Sequence, residues 1–149
     1  TTYFADTSAI AKRYINEIGS KWILRLSHPL TGNVFVLSKL TTVEMASVLR
    51  HAVNAGILAQ SAEVRLTASF LLDADNQYLT FPIDETVQHD ARRLIRQHSL
   101  RTLDAIQLSN AVQASQYLGE PLIFLSADSR LLAAASAEGF AVDNPNLHP

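Results

Sequence analysis

The sequence contains no cysteine, and this excludes a disulfide framework, a thiol nucleophile and a cysteine-ligated zinc site. It lacks any hydrophobic run approaching the about 20 residues of a membrane-spanning helix, and its N-terminus does not have the layout of a signal peptide. A surplus of positive charge is also absent, because 12 lysines and arginines stand against 14 aspartates and glutamates. The formal charge of −2 therefore gives no overall indication of nucleic-acid binding.

The chain does contain enough apolar material for a core. Hydrophobic residues make up 48% of its 149 residues and charged residues only 17%, a composition typical of a folded domain. The length is close to that of one average domain, and no repeat, low-complexity segment or linker interrupts it. We predict a single soluble domain over residues 1–149, from a reducing compartment such as the cytoplasm.

Short apolar runs alternate with segments of helical periodicity. Five runs predict strands, and several lack the polar alternation of a half-exposed strand. These runs are residues 3–5, 34–37, 78–81, 122–125 and 140–142. Helices are predicted over 41–55, 102–117 and 128–138. Two further helical faces are formed by Val64, Thr67, Ala68, Leu71 and Leu72 and by Val87, Ala91, Leu94, Ile95 and His98. Strands separated by helices predict a parallel sheet with right-handed crossovers, and hence an α/β sandwich with one sheet.

Four acidic residues, Asp6, Glu44, Asp104 and Asp128, stand in or beside apolar segments. Asp6 and Asp128 follow the first and fourth predicted strands, whereas Glu44 and Asp104 lie in the first turns of predicted helices. Open parallel sheets bind ligands at the carboxyl ends of their strands, where the following helices begin. A carboxylate in an apolar setting is costly unless it is paired or bound to a metal. We therefore predict that the four carboxylates meet in one cleft.

Each of these carboxylates also has a purely structural interpretation, which the sequence leaves open. Thr41 and Glu44 are spaced as a capping box, and the dipole of its helix would favour Asp104. Asp128 could cap the helix that follows it, and Asp6 could close an Asx turn after its strand. The placement of all four at one end of one sheet is what favours a shared function.

A shared site of this composition would bind a hard cation. Oxygen ligands without cysteine or paired histidine select Mg²⁺ or Mn²⁺ rather than zinc. One or two such ions between carboxylates can activate a water molecule and stabilise charge on a phosphodiester. The residue types therefore indicate metal-assisted hydrolysis of a phosphodiester.

Four short motifs around these residues resemble those of the PIN domain family, in particular the VapC-type toxins of bacterial and archaeal toxin–antitoxin pairs. The first is Phe-Ala-Asp-Thr-Ser at residues 4–8, and the second acidic position is Glu44. The third is Arg-Thr-Leu-Asp-Ala-Ile-Gln-Leu at residues 101–108, and the fourth is Ser-Ala-Asp-Ser-Arg at residues 126–130. The motifs stand in the family's order and spacing and span nearly the whole chain.

The resemblance implies a PIN-like α/β/α sandwich with a central parallel five-stranded sheet. It implies an endoribonuclease in which Asp6, Glu44, Asp104 and Asp128 are catalytic and hold Mg²⁺ or Mn²⁺, with Ser8 supporting the site through its hydroxyl. The RNA product would carry a 5′-phosphate and a 3′-hydroxyl. As a toxin, the protein would be inhibited by a VapB-like antitoxin and form a homodimer, with the helical region 38–72 contributing to both contacts.

Basic side chains are the candidate contacts for an RNA backbone. Arg92, Arg93 and Arg96 lie off the apolar face of a predicted helix, and Arg101 follows shortly after that helix. Because phosphate binding is electrostatic and independent of base sequence, a local patch suffices despite the net negative charge. An ordinary solvated helix face explains the same arginines equally well.

Three other functions fit parts of the pattern. A catalytically silent PIN-like module would bind metal and serve only for interaction. An aspartyl phosphatase would need a second aspartate two residues after Asp6, where the sequence has Ser8. A receiver-type signalling domain would need a lysine after the fifth strand, where the sequence has Asp143, Asn144 and Pro145.

Overall fold

A five-stranded parallel sheet forms the centre of the protein in the computed structural model, which describes residues 1–149. The strands are β1 (Thr2–Ala5), β2 (Val34–Ser38), β3 (Tyr78–Phe81), β4 (Ile123–Leu125) and β5 (Ala141–Asp143). Their order across the sheet is β3-β2-β1-β4-β5, and every neighbouring pair is parallel. The carboxyl ends of all five strands therefore lie at one edge of the sheet.

Helices cover both faces of this sheet. They are α1 (Thr7–Ile10), α2 (Ser20–Leu26), α3 (Leu40–Asn54), α4 (Gln60–Asn76), α5 (Glu85–His98), α6 (Thr102–Leu118) and α7 (Ser129–Ala137). Short 3₁₀ turns lie at Ala11–Arg13, Pro29–Thr31 and Pro145–Leu147. Helices α1 to α4 supply one core and α5 to α7 the other. The predicted α/β/α sandwich with a central five-stranded parallel sheet is confirmed.

Successive side chains of the central strands enter two separate cores, because neighbouring residues of a strand point to opposite faces. Phe4 and Phe124 stack with ring centroids 5.4 Å apart in the core shared with α5, α6 and α7. Ala5 and Leu125, one position further along, lie in the core shared with α1 to α4. Burial on both faces explains why these strands are continuous apolar runs.

One predicted helical face is not the buried face of its helix. It comprised Val64, Thr67, Ala68, Leu71 and Leu72. The buried residues of α4 are instead Phe70 and Ala74, whereas Val64 is 68% exposed and Leu72 64% exposed. Helix α4 packs mainly on α3 and β3 and needs only a narrow buried stripe, and periodicity does not say which apolar stripe is buried. The face predicted for α5 is buried at Val87, Ala91 and Leu94.

The apolar pattern of the sequence did not predict helix α2. Only Ile23 among its apolar residues is fully buried, and Trp22 lies part-buried with its ring stacked 4.1 Å from that of His148. A single buried position forms no period. None of the helices in the chain combines the length and the hydropathy that a membrane crossing requires.

Candidate active site

All four predicted carboxylates line one cavity of about 460 Å³ at the carboxyl edge of the sheet. Asp6 directly follows β1, and Asp128 directly precedes α7. Glu44 and Asp104 lie near the starts of α3 and α6. The parallel arrangement of the strands brings these positions from distant parts of the chain to one place.

Asp6 is the most buried of the four, and its carboxylate accepts three hydrogen bonds. Ser8 Oγ and the Ala9 amide donate to Oδ1 at 2.7 and 2.9 Å, and Ser126 Oγ donates to Oδ2 at 2.7 Å. The bond from Ala9 caps α1, so Asp6 has a local structural role in addition to its place in the cavity.

Burial raises the pKa of Asp6 from 3.8 to about 6. Loss of hydration is the largest cause, and the nearby negative charge of Asp104 adds to it. The hydrogen bonds from Ser126, Ser8 and Ala9 favour the charged form and lower the pKa in turn. The cavity thus holds one carboxylate that gains a proton more readily than an exposed aspartate.

Ser8 ties the loop after β1 to the loop after β4. Its hydroxyl donates to Asp6 and accepts a hydrogen bond from the Ala127 amide at 2.9 Å. Ser126 Oγ, besides bonding Asp6, accepts a hydrogen bond from the Asp128 amide at 3.0 Å. The two serines therefore fix the relative positions of the first and last acidic residues.

Glu44 is held by side chains of two other elements. Its Oε1 accepts hydrogen bonds from Thr7 Oγ1 and Gln107 Nε2, both at 2.8 Å. The capping-box interpretation is wrong, because α3 begins at Leu40 and Glu44 bonds no amide at its start. The first helical amide, that of Leu40, donates instead to Ser38 Oγ at 3.0 Å, and the Glu44 carboxylate faces the cavity.

Gln107 is a cavity residue that the sequence reasoning missed. It is only 2% exposed, and its Nε2 also approaches Thr41 Oγ1 at 3.0 Å and Thr7 Oγ1 at 3.2 Å. Its Oε1 has no hydrogen-bond partner. The available signal was its position three residues after Asp104, which puts both side chains on one face of α6.

Asp104 and Asp128 share one basic partner, Arg101. The guanidinium lies 3.1 Å from Asp104 Oδ2 and 3.3 Å from Asp128 Oδ2, while its own side chain is 76% exposed. The other oxygen of Asp128 accepts hydrogen bonds from the Arg130 and Leu131 amides and caps α7. The predicted helix-cap role of Asp128 is thus observed, and its second oxygen remains directed at the arginine.

Of the three arginines in the predicted basic patch on α5, one forms ion pairs within the protein and two do not. Arg93 contacts Asp90 at 2.7 Å and Glu138 at 2.6 Å, which lowers the pKa of the Glu138 carboxyl. Arg92 and Arg96 are exposed, form no ion pair, and line a surface pocket that contains no hydrophobic residue. Arg92 and Arg96 are therefore better placed than Arg93 to receive an external phosphate.

A family model described as PIN domain matches residues 3–137. The chain belongs to the PIN domain family. The predicted family membership is confirmed, and the acidic cavity described above is the candidate active site of this PIN domain.

Solved structures share the fold of this PIN domain at low sequence identity. FitAcB from Neisseria gonorrhoeae is 19% identical with a TM-score of 0.59, covering 97% of this chain and 98% of that chain. A toxin–antitoxin complex from Klebsiella pneumoniae is 18% identical with a TM-score of 0.58, covering 96% and 97%. VapBC2 from Rickettsia felis, bound to a DNA fragment from its promoter, is 10% identical with a TM-score of 0.63, covering 97% and 98%. No curated protein sequence matches the chain.

The donor chemistry of the cavity fits the divalent metal on which PIN domain nucleases generally depend. Four carboxylates and the hydroxyls of Thr7 and Ser8 line it, and no histidine does. The side-chain spacing does not yet form a complete ligand set, because no three acidic or histidine residues lie close enough together to hold one ion. Two of the four carboxylates are instead joined through Arg101.

Proposed function

We propose that this PIN domain is a divalent-metal-dependent endoribonuclease and the toxin of a toxin–antitoxin pair. The observation that carries the proposal is the convergence of Asp6, Glu44, Asp104 and Asp128 on one cavity at the ligand-binding edge of the sheet. PIN domains are generally nucleases, which gives this cavity a reaction class. Hydrolysis of an RNA phosphodiester is the activity that this combination supports best.

The four carboxylates would hold Mg²⁺ or Mn²⁺. When bound, the cation activates a water molecule and offsets negative charge on the phosphate. Asp6 is fixed for this by Ser8 and Ser126, and Glu44 by Gln107, so both carboxylates are already oriented. Asp104 and Asp128 would exchange Arg101 for the cation, and the exposed arginine side chain is free to turn toward solvent.

RNA would reach the cavity through its backbone phosphates. Arg101 would be released beside the cavity and could meet a phosphate there. Arg92 and Arg96 would provide more distant contacts from α5, whereas Arg93 is occupied by Asp90 and Glu138. Such contacts are independent of base sequence and would position the strand without selecting it.

An antitoxin partner is supported by the structural neighbours. One of them, from Klebsiella pneumoniae, is a toxin–antitoxin complex. The chain itself presents exposed apolar side chains on α4, among them Val64, Leu71 and Leu72. A VapB-like antitoxin or a second copy in a homodimer would bury this face, since exposed apolar patches mark interaction sites.

The nuclease is tested by incubating the purified protein with total cellular RNA and mapping the ends of the products. Mg²⁺, Mn²⁺ and chelator are compared, and Asp6→Asn and Asp104→Asn are assayed beside Asp75→Asn, an exposed aspartate of α4 that lies outside the cavity. We expect discrete fragments with 5′-phosphate ends that require metal and are lost only in the two cavity variants. Cleavage that persists with chelator or in both cavity variants would refute the proposed mechanism.

A catalytically silent interaction module is the second candidate, and the pairing of Asp104 and Asp128 with Arg101 is the observation that favours it. A silent module would bind metal and partner yet leave every RNA intact. Metal binding without cleavage, measured on protein shown to be free of antitoxin, would support this alternative.

A further inference from the structure

A second cavity, of about 520 Å³, adjoins the acidic one at the carboxyl edge of the sheet. Ser8 and Val48 line both cavities, so the two are direct neighbours along this edge. No acidic residue of the candidate metal site lines the second cavity. Its charged residues are Lys12 and Glu17.

Lys12 is a buried cation that the proposed hydrolysis does not use. Its side chain is only 4% exposed, and lysine is almost never so deeply buried unless it is paired. Nζ donates a hydrogen bond to the Ile18 carbonyl at 2.9 Å and lies 3.3 Å from Glu17 Oε1. The carbonyl is a fixed acceptor, whereas the Glu17 side chain is 49% exposed and can be exchanged for another anion.

Anchoring of the segment 15–19 does not explain this lysine. The Glu17 amide donates to Ser20 Oγ at 2.9 Å, and Ser20 Oγ donates to the Ile15 carbonyl at 3.0 Å. Gly19, with φ of +86°, packs so closely on the Pro145 backbone that a side chain there would collide with its carbonyl. The segment therefore has anchors besides Lys12, and the Ile18 carbonyl is a fixed support for the ammonium.

We infer that Lys12 binds a backbone phosphate of the RNA next to the cleaved bond, exchanging its contact with Glu17 for the phosphate. This inference rests on the proposed function and names a substrate contact of the same site. Four carboxylates repel the neighbouring phosphates of a bound strand, so a cation beside them is needed to hold the strand in place. The buried ammonium, a compact point charge on a fixed support, meets that need on the Ser8 side of the cavity.

Glu17 acts in this arrangement as a stand-in for the phosphate. Its side chain is 49% exposed, so it can move into water when the RNA arrives, and the phosphate then replaces it as the anionic partner of the buried ammonium. Because Glu17 and the phosphate compete for one ammonium, removing the carboxylate strengthens RNA binding, whereas removing the lysine weakens it. A purely structural ion pair does not predict opposite effects on RNA binding.

The test compares Lys12→Gln and Glu17→Gln in the full chain. Binding of a short fluorescein-labelled oligouridylate is measured by fluorescence anisotropy in chelator at several salt concentrations, with a gel confirming that the probe is intact. We expect Lys12→Gln to weaken binding about tenfold and to reduce the slope of log Kd against log salt by about 0.7, the loss of one phosphate contact on a single strand. Glu17→Gln is expected to tighten binding severalfold.

Effects of the same sign in both variants, no effect in either, or no binding of the probe by the wild type would overturn the inference. If Lys12→Gln does not fold, Glu17→Gln decides alone, because only competition predicts tighter binding. The outcome is separable from that of the ribonuclease. If the protein cleaves total RNA but both variants bind the probe as the wild type does, the role of Lys12 is refuted and the proposed nuclease stands. If the two variants change binding in opposite directions but no RNA is cleaved, the role of Lys12 stands and the proposed nuclease is refuted.

Discussion

Arg101 and Asp128, the residues directly before α6 and α7, form an ion pair at the acidic cavity, with Nη2 3.3 Å from Oδ2. The same guanidinium reaches Asp104 at 3.1 Å and therefore occupies two of the four carboxylates. The guanidinium and a divalent cation would both neutralise these two carboxylates, and they cannot do so at the same time. We therefore expect the arginine to lower the apparent affinity of the cavity for the proposed metal.

Replacing this arginine is expected to strengthen metal binding. Arg101→Gln should raise the affinity for Mn²⁺ severalfold and enlarge the metal-induced rise in melting temperature, because the cation no longer competes with the guanidinium. Isothermal titration and thermal melting without RNA measure both quantities. Arg96→Gln, which removes an arginine without ion pairs, is the matched control and should behave as wild type. An unchanged or weaker Mn²⁺ affinity in Arg101→Gln would contradict the competition.

Loss of a carboxylate from the cavity is expected to have the opposite effect. Asp104→Asn should reduce the rise in melting temperature that Mg²⁺ or Mn²⁺ produces, because one charged ligand is lost. Asp75→Asn serves again as the control. Equal shifts in wild type and Asp104→Asn at saturating metal would mean that Asp104 is not part of a shared metal site.

The raised pKa of Asp6 predicts a specific pH dependence of stability in the absence of metal. The folded protein binds the Asp6 proton more tightly than the unfolded chain does, so the contribution of Asp6 to the free energy of unfolding decreases as pH rises from about 4 to about 6. A rise in pKa from 3.8 to about 6 corresponds to about 3 kcal/mol. Asp6→Asn removes this cost and can still cap α1.

Urea unfolding of wild type and Asp6→Asn between pH 4 and pH 8, in chelator, measures this dependence. The stability of Asp6→Asn relative to wild type should increase by about 2 kcal/mol between the two ends of that range, because part of the whole effect already lies below pH 4. Other titrating groups cancel in the difference between the two proteins. A difference that stays constant with pH would show that burial does not perturb Asp6.

Gln107 is expected to support both stability and metal affinity through Glu44. Gln107→Leu removes the donor to Glu44 and leaves polar groups of the buried network unpaired, at a cost of about 1–3 kcal/mol in the free energy of unfolding. Metal affinity should fall about tenfold, since the residues that orient a ligand tune its binding. Gln116→Leu, at an exposed site on the same helix, is the control for urea unfolding and Mn²⁺ titration. Unaltered Mn²⁺ binding in Gln107→Leu would separate Glu44 from the metal site.

The three arginines of α5 are expected to differ in RNA binding, according to whether each already forms an ion pair. Arg92→Gln and Arg96→Gln are expected to weaken binding of single-stranded RNA and to reduce its salt dependence by about 0.7 each in the log–log slope. Arg93→Gln should leave RNA binding unchanged and cost up to about 1 kcal/mol of stability, because its guanidinium already serves Asp90 and Glu138. Fluorescence anisotropy measures the RNA binding of each variant, and urea unfolding measures its stability. A stronger RNA defect in Arg93→Gln than in its neighbours would contradict this division.

Much of the fold and the location of the site could be predicted from sequence, and particular residues show why. Phe4 and Ala5 are both apolar although they point to opposite faces, which is the mark of a strand buried on both sides. Once the sheet is parallel, the positions after β1 and β4 must lie at one edge, so Asp6 and Asp128 could be brought together without coordinates.

The partners of those carboxylates could not be predicted in the same way. The spacing of Thr41 and Glu44 fits a capping box, yet Glu44 bonds Thr7 and Gln107, which belong to other elements. The apolar stripe of α4 that includes Leu72 is as periodic as a buried one, yet it faces solvent. Local patterns record what a helix can bury or cap, whereas the neighbouring elements determine what it does.

The sequence by itself determined the alternation of strands and helices, the parallel sheet and the edge at which four acidic residues gather, because these follow from side-chain periodicity and chain direction. Only the tertiary structure decided that Arg101 joins two of the carboxylates, that Gln107 holds a third, and that Lys12 is buried in the neighbouring cavity. Hydrogen bonds and ion pairs act over about 3 Å and depend on direction. Their partners are therefore selected by the packing distances between elements, which no local pattern of residues specifies.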